Sequence, residues 1–514
     1  MIHLRLPVAT LLAMLLQSQP PPLPHTQDGP TPPAPAPASG RTSLAPGVSE
    51  AERGLETKLA TLVDESAMQQ WVRDLCRLGP RMGGTKSGHQ SAEFLRARFE
   101  KLGLEVRVVE DPPRWCHAEK AWSVTARRVR AGAGTGSPPE APRTLGSAWP
   151  YGFSPTSSGR APLSKTPGAG VALLAENAPR RLEKGGAPLP AVVLVGGNTT
   201  LDGAYPRISH LREGADNPAA VFGLSRPDAR WLEEALAAAT AAGEALEIQW
   251  HLEAQIREAA PRTVVARLPG RARSAAPWTD EHFLFCAHGD SDAGGPGADD
   301  NASGMATLLG IATAWKQGID QGLVPAPGRE VRFAIWGSEI HSSRALLARE
   351  DQDGRVLGVL NYDQAGYGSG ADQFNIEPDD LPANVPLVRT VVAVLADHGK
   401  QPGFPELWAT NKSLGGTDSY IFSGSEAFRQ SSRPALTLFT SAWDEPAEHP
   451  RTPGMPGESW RERDQVRVDF DNYYHSAGDT PENTTDKEPW NMGWCARIGL
   501  LSARRAVEEV ARGK

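Results

Sequence analysis

Residues Phe283 to Gly304 read FLFCAHGDSDAGGPGADDNASG. Phe283-Leu284-Phe285-Cys286-Ala287 is a short apolar strand that stops at His288-Gly289-Asp290. A Gly/Pro/Asp loop leads to Asp299-Asp300-Asn301, and beyond it Met305, Leu308, Leu309, Ala312 and Trp315 keep the three-to-four spacing of a helix. A strand ending in His-x-Asp, followed by a loop ending in Asp-Asp, sets imidazole and carboxylate at the carboxyl edge of a sheet. Open α/β sheets carry their sites at that edge. A polar turn with a helix N-cap would account for Asp299 or Asn301 taken singly. Four glycines and a proline between His288 and Asp299 are more than a cap requires.

Outward from this run, strands alternate with helices. Thr263 to Leu268, Glu330 to Trp336, Val356 to Tyr362 and Pro434 to Thr440 read as strands. Ala67 to Leu78, Ser87 to Leu102, Pro386 to His398 and Trp490 to Arg512 read as helices. The alternation predicts an α/β fold, a doubly wound, largely parallel mixed sheet with helices on both faces. Between about Lys120 and Ile248 the texture changes to a Gly/Pro/Ala stretch, short strands at Val171 to Leu174 and Ala191 to Val195, and an Ala-rich helix from Asp228 to Ala242. That region reads as an inserted small α+β domain, residues 120–248, with 49–119 and 249–514 forming the main domain.

The chain's 514 residues exceed one ordinary core, and an apolar content of 39% suits a folded protein. The formal net charge of -8 comes without a basic block or aromatic-basic interleaving, which excludes nucleic acid as a partner. Arg5 precedes the apolar run Leu6 to Leu16, the length of a signal-peptide core and too short to span a bilayer. Residues 1–19 are therefore expected to be a signal peptide and 20–48, dense in Pro and Ala, a linker. The expected location is outside the cytoplasm, periplasmic or extracellular, with no integral membrane segment after signal removal. The four cysteines lack C-x-x-C spacing. In an exported chain Cys76 with Cys116 is a possible disulfide.

The polar residues just past the core strands are His288, Asp300, Glu339, Asp363 and, later, His475. Two imidazoles and three carboxylates form a nitrogen/oxygen donor set that suits zinc. Two metals could share one carboxylate and activate one water. Asp290 is either a support for the His288 ring or a turn-forming Asx residue.

These pieces resemble metallopeptidase family 28, the dizinc aminopeptidases and glutamate-carboxypeptidase-like exopeptidases. The matching segments are His288-x-Asp290, Gly297 to Gly304, Trp336-Gly337-Ser338-Glu339, Asn361-Tyr362-Asp363, Gly416-Thr417-Asp418 and Tyr474-His475, in the family's order. Arg81-Met82-Gly83-Gly84 resembles the family's N-terminal segment, and the inserted region its protease-associated domain. The resemblance spans roughly residues 60 to 510. It implies the zinc exopeptidase fold, peptide substrates and zinc, two ions per chain with one possible. Asp300 would bridge the metals, and His288 and Asp363 would complete one of them with Asp290 behind the histidine. His475 and a glutamate would complete the other, and Tyr474 would stabilise the oxyanion.

One position departs from the family pattern. Two consecutive glutamates are usual there, a general base and then a zinc ligand, whereas this chain has Glu339-Ile340 in a shortened loop. Glu339 is then the base with a ligand missing, or the ligand with the base missing, and His341 could substitute for either. The expected activity is that of a secreted zinc exopeptidase, an aminopeptidase foremost, with Glu339 as base. A carboxypeptidase-type member, a catalytically silent member that binds rather than cuts, and a single-metal acyl-transfer enzyme of the glutaminyl cyclase kind are the alternatives. Oligomeric state has no signature in the sequence.

Overall fold

The structure is a computed structural model. It describes residues 48–130, 141–177, 188–271, 278, 281–291, 294–347, 356–368, 373–378, 381–410, 416–423, 433–440 and 472–511. The expected signal peptide, nearly all of the linker, and a Pro-rich loop at 441–460 lie outside these residues.

In chain order the elements begin with helices α1 (Glu50–Ala60), α2 (Glu65–Cys76) and α3 (Lys86–Lys101), then strands β1 (Glu105–Glu110) and β2 (Arg114–Arg130). Next come β3 (Arg143–Thr144), β4 (Trp149–Pro150), β5 (Ser157–Ser164), β6 (Ala172–Ala175), β7 (Val192–Val195) and β8 (Ala220–Gly223). Helix α4 (Arg226–Ala241) precedes β9 (Glu244–Ala259), β10 (Arg262–Leu268) and β11 (His282–His288). The remainder is α5 (Gly304–Asp320), β12 (Glu330–Trp336), α6 (His341–Leu347), β13 (Val356–Tyr362), β14 (Gln373–Pro378), α7 (Val385–His398), β15 (Leu407–Thr410), α8 (Ser419–Ser423), β16 (Ala435–Phe439) and α9 (Trp490–Ala511).

The main sheet has the order β1-β10-β12-β11-β13-β16-β14-β15. Its centre, β12-β11-β13-β16, is parallel throughout, and antiparallel pairs join β1 and β10 on one side and β14 on the other. The sequence expectation of a largely parallel mixed sheet is met. Burial on both faces explains why β11 reads as an unbroken apolar run. Phe283, Phe285 and Ala287 enter the large core under α1, α2, α3, α5, α7 and α9, while Leu284 and Cys286 enter a smaller core with Trp336, Leu347, Ile421 and Phe422. Helices thus cover both faces unequally, all the long ones of the main sheet on one side and the short α6 and α8 on the other.

The long helices are tied together by a buried charge. Glu56 on α1 is fully buried and accepts from Arg505 Nε (2.8 Å) and Nη2 (2.6 Å) on α9 and from His398 Nε2 (2.9 Å) on α7. Burial works against its ionisation, but Arg505 and His398 outweigh it and hold the carboxyl below its ordinary range. A depressed carboxyl stabilises the fold above its unfolded pKa, and that contribution is lost as pH falls through the folded value. Glu56→Ala removes two of the bonds to buried Arg505, which keeps Asp397 at 2.9 Å, and is expected to cost about 3 kcal/mol, read as a lowered denaturant midpoint at neutral pH. The difference from wild type should shrink in acid.

A second sheet has the order β3-β2-β9-β5-β6-β7-β8-β4, with α4 packed on it through Leu232, Ala235 and Ala239. Its long strands β2 and β9 pair antiparallel from Arg114 opposite Ala259 to Arg130 opposite Glu244. Both run past the positions where the sequence places the edges of an insertion. A continuous antiparallel ribbon gives no composition break at 119 or 249. Among the described residues no helix is long and apolar enough to cross a membrane. All four cysteines are free thiols, so the suggested Cys76–Cys116 disulfide is corrected.

Candidate metal centre

Three parallel strands bring the first residues together. β11 lies between β12 and β13, with His288 opposite Trp336 and Cys286 opposite Asn361. Their carboxyl ends therefore deliver His288, Glu339 and Asp363 to one edge. One potential ligand atom from each of these three lies within 4.8 Å of the others. His288 is buried. Its Nδ1 faces the Asp290 carbonyl at 2.9 Å and the Asp290 carboxylate at 3.3 Å. Its Nε2 faces Asp363 Oδ1 at 3.4 Å and Asp300 Oδ1 at 3.2 Å.

Asp300 comes from the irregular turn Ala298–Ser303 that leads into α5, where Asp300 and Asn301 leave helical geometry across a cis peptide bond. The turn is fixed from three sides. Asp479 accepts from the amides of Asp299 (2.8 Å) and Asp300 (3.0 Å). Asn301 Nδ2 donates to the Tyr362 carbonyl at 2.8 Å. Arg81 donates to the Pro296 carbonyl at 3.0 Å and the Gly297 carbonyl at 2.6 Å. So held, Asp300 offers one oxygen to each imidazole. Oδ1 meets His288, and Oδ2 meets His475 Nε2 at 3.0 Å. Asp299 turns the other way and accepts from the Gly366 amide at 2.7 Å.

The Glu339 loop is also pinned from behind. Asp290 Oδ1 accepts from the Glu339 amide at 3.0 Å, and Asp418 Oδ1 accepts from the Ile340 amide (2.8 Å) and Ser343 Oγ (2.6 Å). A Cβ on Gly83 would come within 2.5 Å of the Gly337 carbonyl, so only glycine lets the two loops touch. Ile340 follows Glu339 directly. It has a φ of 57° and packs against the smaller apolar core. His341 is half-buried, and its Nε2 lies 2.8 Å from the Pro112 carbonyl. The suggestion that His341 replaces a missing glutamate is corrected, because its ring nitrogen is committed elsewhere. Tyr474 is half-buried, its ring stacked on that of His475 at 3.5 Å between centroids.

Electrostatics single out this cluster as built for a cation. Burial alone would lower the His288 pKa, yet Glu339, Asp363, Asp290 and Asp300 together raise it well above the ordinary imidazole range. Asp300 is held below the usual carboxylate range by His288 and His475 against the opposing effect of burial. Carboxylates outnumber the two imidazoles, and the donors are all nitrogen and oxygen. The residues present fit a zinc-type ion.

Asp418 and Asp479 were not singled out as ligands or supports by sequence, although Asp418 lies in a family motif and Asp479 in an ordinary Gly-Asp-Thr turn. Burial pushes the first up to about 7 and the second up to about 6, from 3.8. A raised carboxyl binds its proton more tightly in the folded chain, so its contribution is full below about pH 4 and lost as pH rises to the folded value. The metal-free protein is therefore expected to lose thermal stability between about pH 4 and 7, and Asp418→Asn should flatten that slope. Melting curves in chelator across the window check it.

The family model for peptidase family M28 matches residues 263–498. The chain is 30% identical over 186 residues to leucine aminopeptidase 1 of Arthroderma gypseum, covering 32% of this chain and 48% of that protein. It is 30% identical over 189 residues to the probable leucine aminopeptidase 1 of Trichophyton verrucosum, covering 33% and 48%. The chain thus spans about half the length of the curated relatives it matches. Among solved structures, the peptidase M28 precursor of Shewanella amazonensis superposes with a TM-score of 0.55 at 17% identity, over 89% of this chain and 97% of the other. The zinc aminopeptidase BSAP of Bacillus subtilis gives a TM-score of 0.52 at 15% identity, over 87% and 95%. At those identities the likeness is one of fold. The stretch matched by the model for peptidase family M28, residues 263–498, carries His288, Asp300, Glu339, Asp363 and His475.

Proposed function

We propose that the protein is an exported zinc-dependent exopeptidase, an aminopeptidase foremost. Residues 49–119 and 249–514 would form its peptidase domain, and 120–248 an inserted protease-associated-like domain. The observation that carries the reading is Asp300 extending one oxygen toward His288 and the other toward His475, at 3.2 and 3.0 Å. That is the disposition a shared carboxylate needs. His288 and Asp363 would hold one ion, and His475 the other. Bound zinc supplies Lewis-acid polarisation of the scissile carbonyl and a water acidified toward neutrality.

The protein's own groups do the rest. The Asp290 carbonyl would accept a hydrogen bond from the Nδ1–H of His288, which fixes the tautomer and leaves Nε2 free to ligate. A Glu339 carboxylate oxygen takes the proton of the attacking water and returns it to the leaving amine nitrogen. The Tyr474 hydroxyl would donate to the carbonyl oxygen as it becomes an oxyanion. Glu339 clusters with His288 and Asp363, a position from which it could act as base or as ligand, and we take it as the base.

The test is a panel of aminoacyl-anilides and their N-acetylated counterparts. Hydrolysis confined to free amines supports the aminopeptidase reading, and cleavage only of C-terminal residues points to a carboxypeptidase-type member. Ile340, standing where a glutamate ligand is usual, favours a second reading, a silent member that binds peptides without cutting them. Zinc-replete protein with no turnover on any peptide would support that reading.

A further inference from the structure

We propose that Arg207, with the flanking backbone Pro206 to Ile208, positions the Tyr474–His475 corner; this rests on reading the centre as a zinc peptidase site. The corner is unusual in its backbone. His475 has a φ of 49°, in the left-handed region that non-glycine residues seldom occupy. Such a conformation persists where neighbours over-determine it.

Many of those neighbours come from the connection between β7 and β8 of the second sheet. The Arg207 guanidinium donates to the Tyr474 carbonyl. The Ile208 amide donates to the His475 carbonyl at 2.7 Å, and the Ala477 amide donates to the Pro206 carbonyl at 3.1 Å. Arg207 and Ser476 face each other as an antiparallel bridge. At the corner's entry, the Leu201 amide donates to Asn472 Oδ1 at 2.8 Å, and the Tyr205 ring meets that of Tyr473 edge-on at 5.9 Å. The carbonyls of both Tyr474 and His475 are thus held by donors more than 260 positions earlier in the chain. With both peptide planes held, the Cα–Cβ bond of His475 is fixed in direction, and its imidazole reaches Asp300 Oδ2 at 3.0 Å. The second sheet therefore acts as scaffolding for half of the centre.

The experiment compares Arg207→Ala, Arg207→Lys and the control Arg212→Ala, whose side chain is exposed and pairs with Asp216. Each is assayed for kcat and KM on an aminoacyl-anilide and titrated with zinc calorimetrically. Arg207→Ala is expected to lower kcat roughly ten- to a hundredfold with KM little changed, since a small displacement of a reacting group is enough for that. It should weaken one of two zinc-binding steps by about tenfold, the step that His475→Ala abolishes, and leave the other intact. Arg207→Lys, which keeps a donor, should recover much of both, and Arg212→Ala should match wild type. Unchanged kcat and zinc binding in folded Arg207→Ala overturns the proposal. So does a loss in both zinc steps that Arg207→Lys fails to recover, which marks a general effect on the fold. A wild-type chain that binds no zinc overturns the underlying reading as well.

Discussion

Glu339→Gln is expected to lower peptide hydrolysis by roughly a hundred- to ten-thousand-fold, about 3–5 kcal/mol of barrier, while zinc content stays at the wild-type level. The substitution keeps the size of the side chain and removes its basicity. Its backbone is held independently of the carboxylate, by Asp290 at the Glu339 amide and by Asp418 at Ile340 and Ser343. The loop should therefore stay in place, and the loss should fall on the proton transfer. Zinc falling together with activity would make Glu339 a ligand instead of a base. Full activity in Glu339→Gln would remove it from the chemistry altogether.

Asp300→Asn should be at least as damaging, because the Asp300 carboxylate meets both histidines. The amide retains one acceptor oxygen and loses the charge, so one of the two imidazoles faces an NH2 group and the shared anion is gone. Changes to groups behind a metal ligand already cost roughly ten- to a hundredfold in affinity or activity, and a shared ligand should exceed that. We expect zinc stoichiometry to fall from two to one or none, with activity below a hundredth of wild type. The turn itself should survive, since it is fixed by Asp479 at the backbone and by Asn301 and Arg81, none of which uses the Asp300 carboxylate. An Asp300→Asn protein with two zinc ions and wild-type turnover would exclude a bridging role.

The legible part of the sequence was the part dictated by local chemistry. The run from Phe283 to Gly304 announces a doubly buried strand and a polar loop because burial on both faces demands continuous apolar residues and a glycine-rich turn frees backbone for a site. His288, Asp300 and Asp363 could be read for the same reason, each following a recognisable strand or preceding a recognisable helix. Asp479 could not, because its role is to accept two amides from a turn nearly 180 residues earlier, and nothing local distinguishes it. The buried Glu56–Arg505 pair is silent in the same way, with its partners at opposite ends of the chain. The hold of Arg207 on the Tyr474 carbonyl depends on two sheets meeting, which periodicity within one segment does not report. His341 misled because a histidine beside a missing ligand is plausible until its ring is seen against Pro112.

Zinc stoichiometry, measured on the purified full chain together with turnover of aminoacyl-anilides, tests the central reading most directly. Two zinc ions per chain, restored hydrolysis when zinc is returned to chelated protein, and loss of the effect in Asp300→Asn are the predicted results. Hydrolysis that persists in chelated protein with no bound zinc would contradict it.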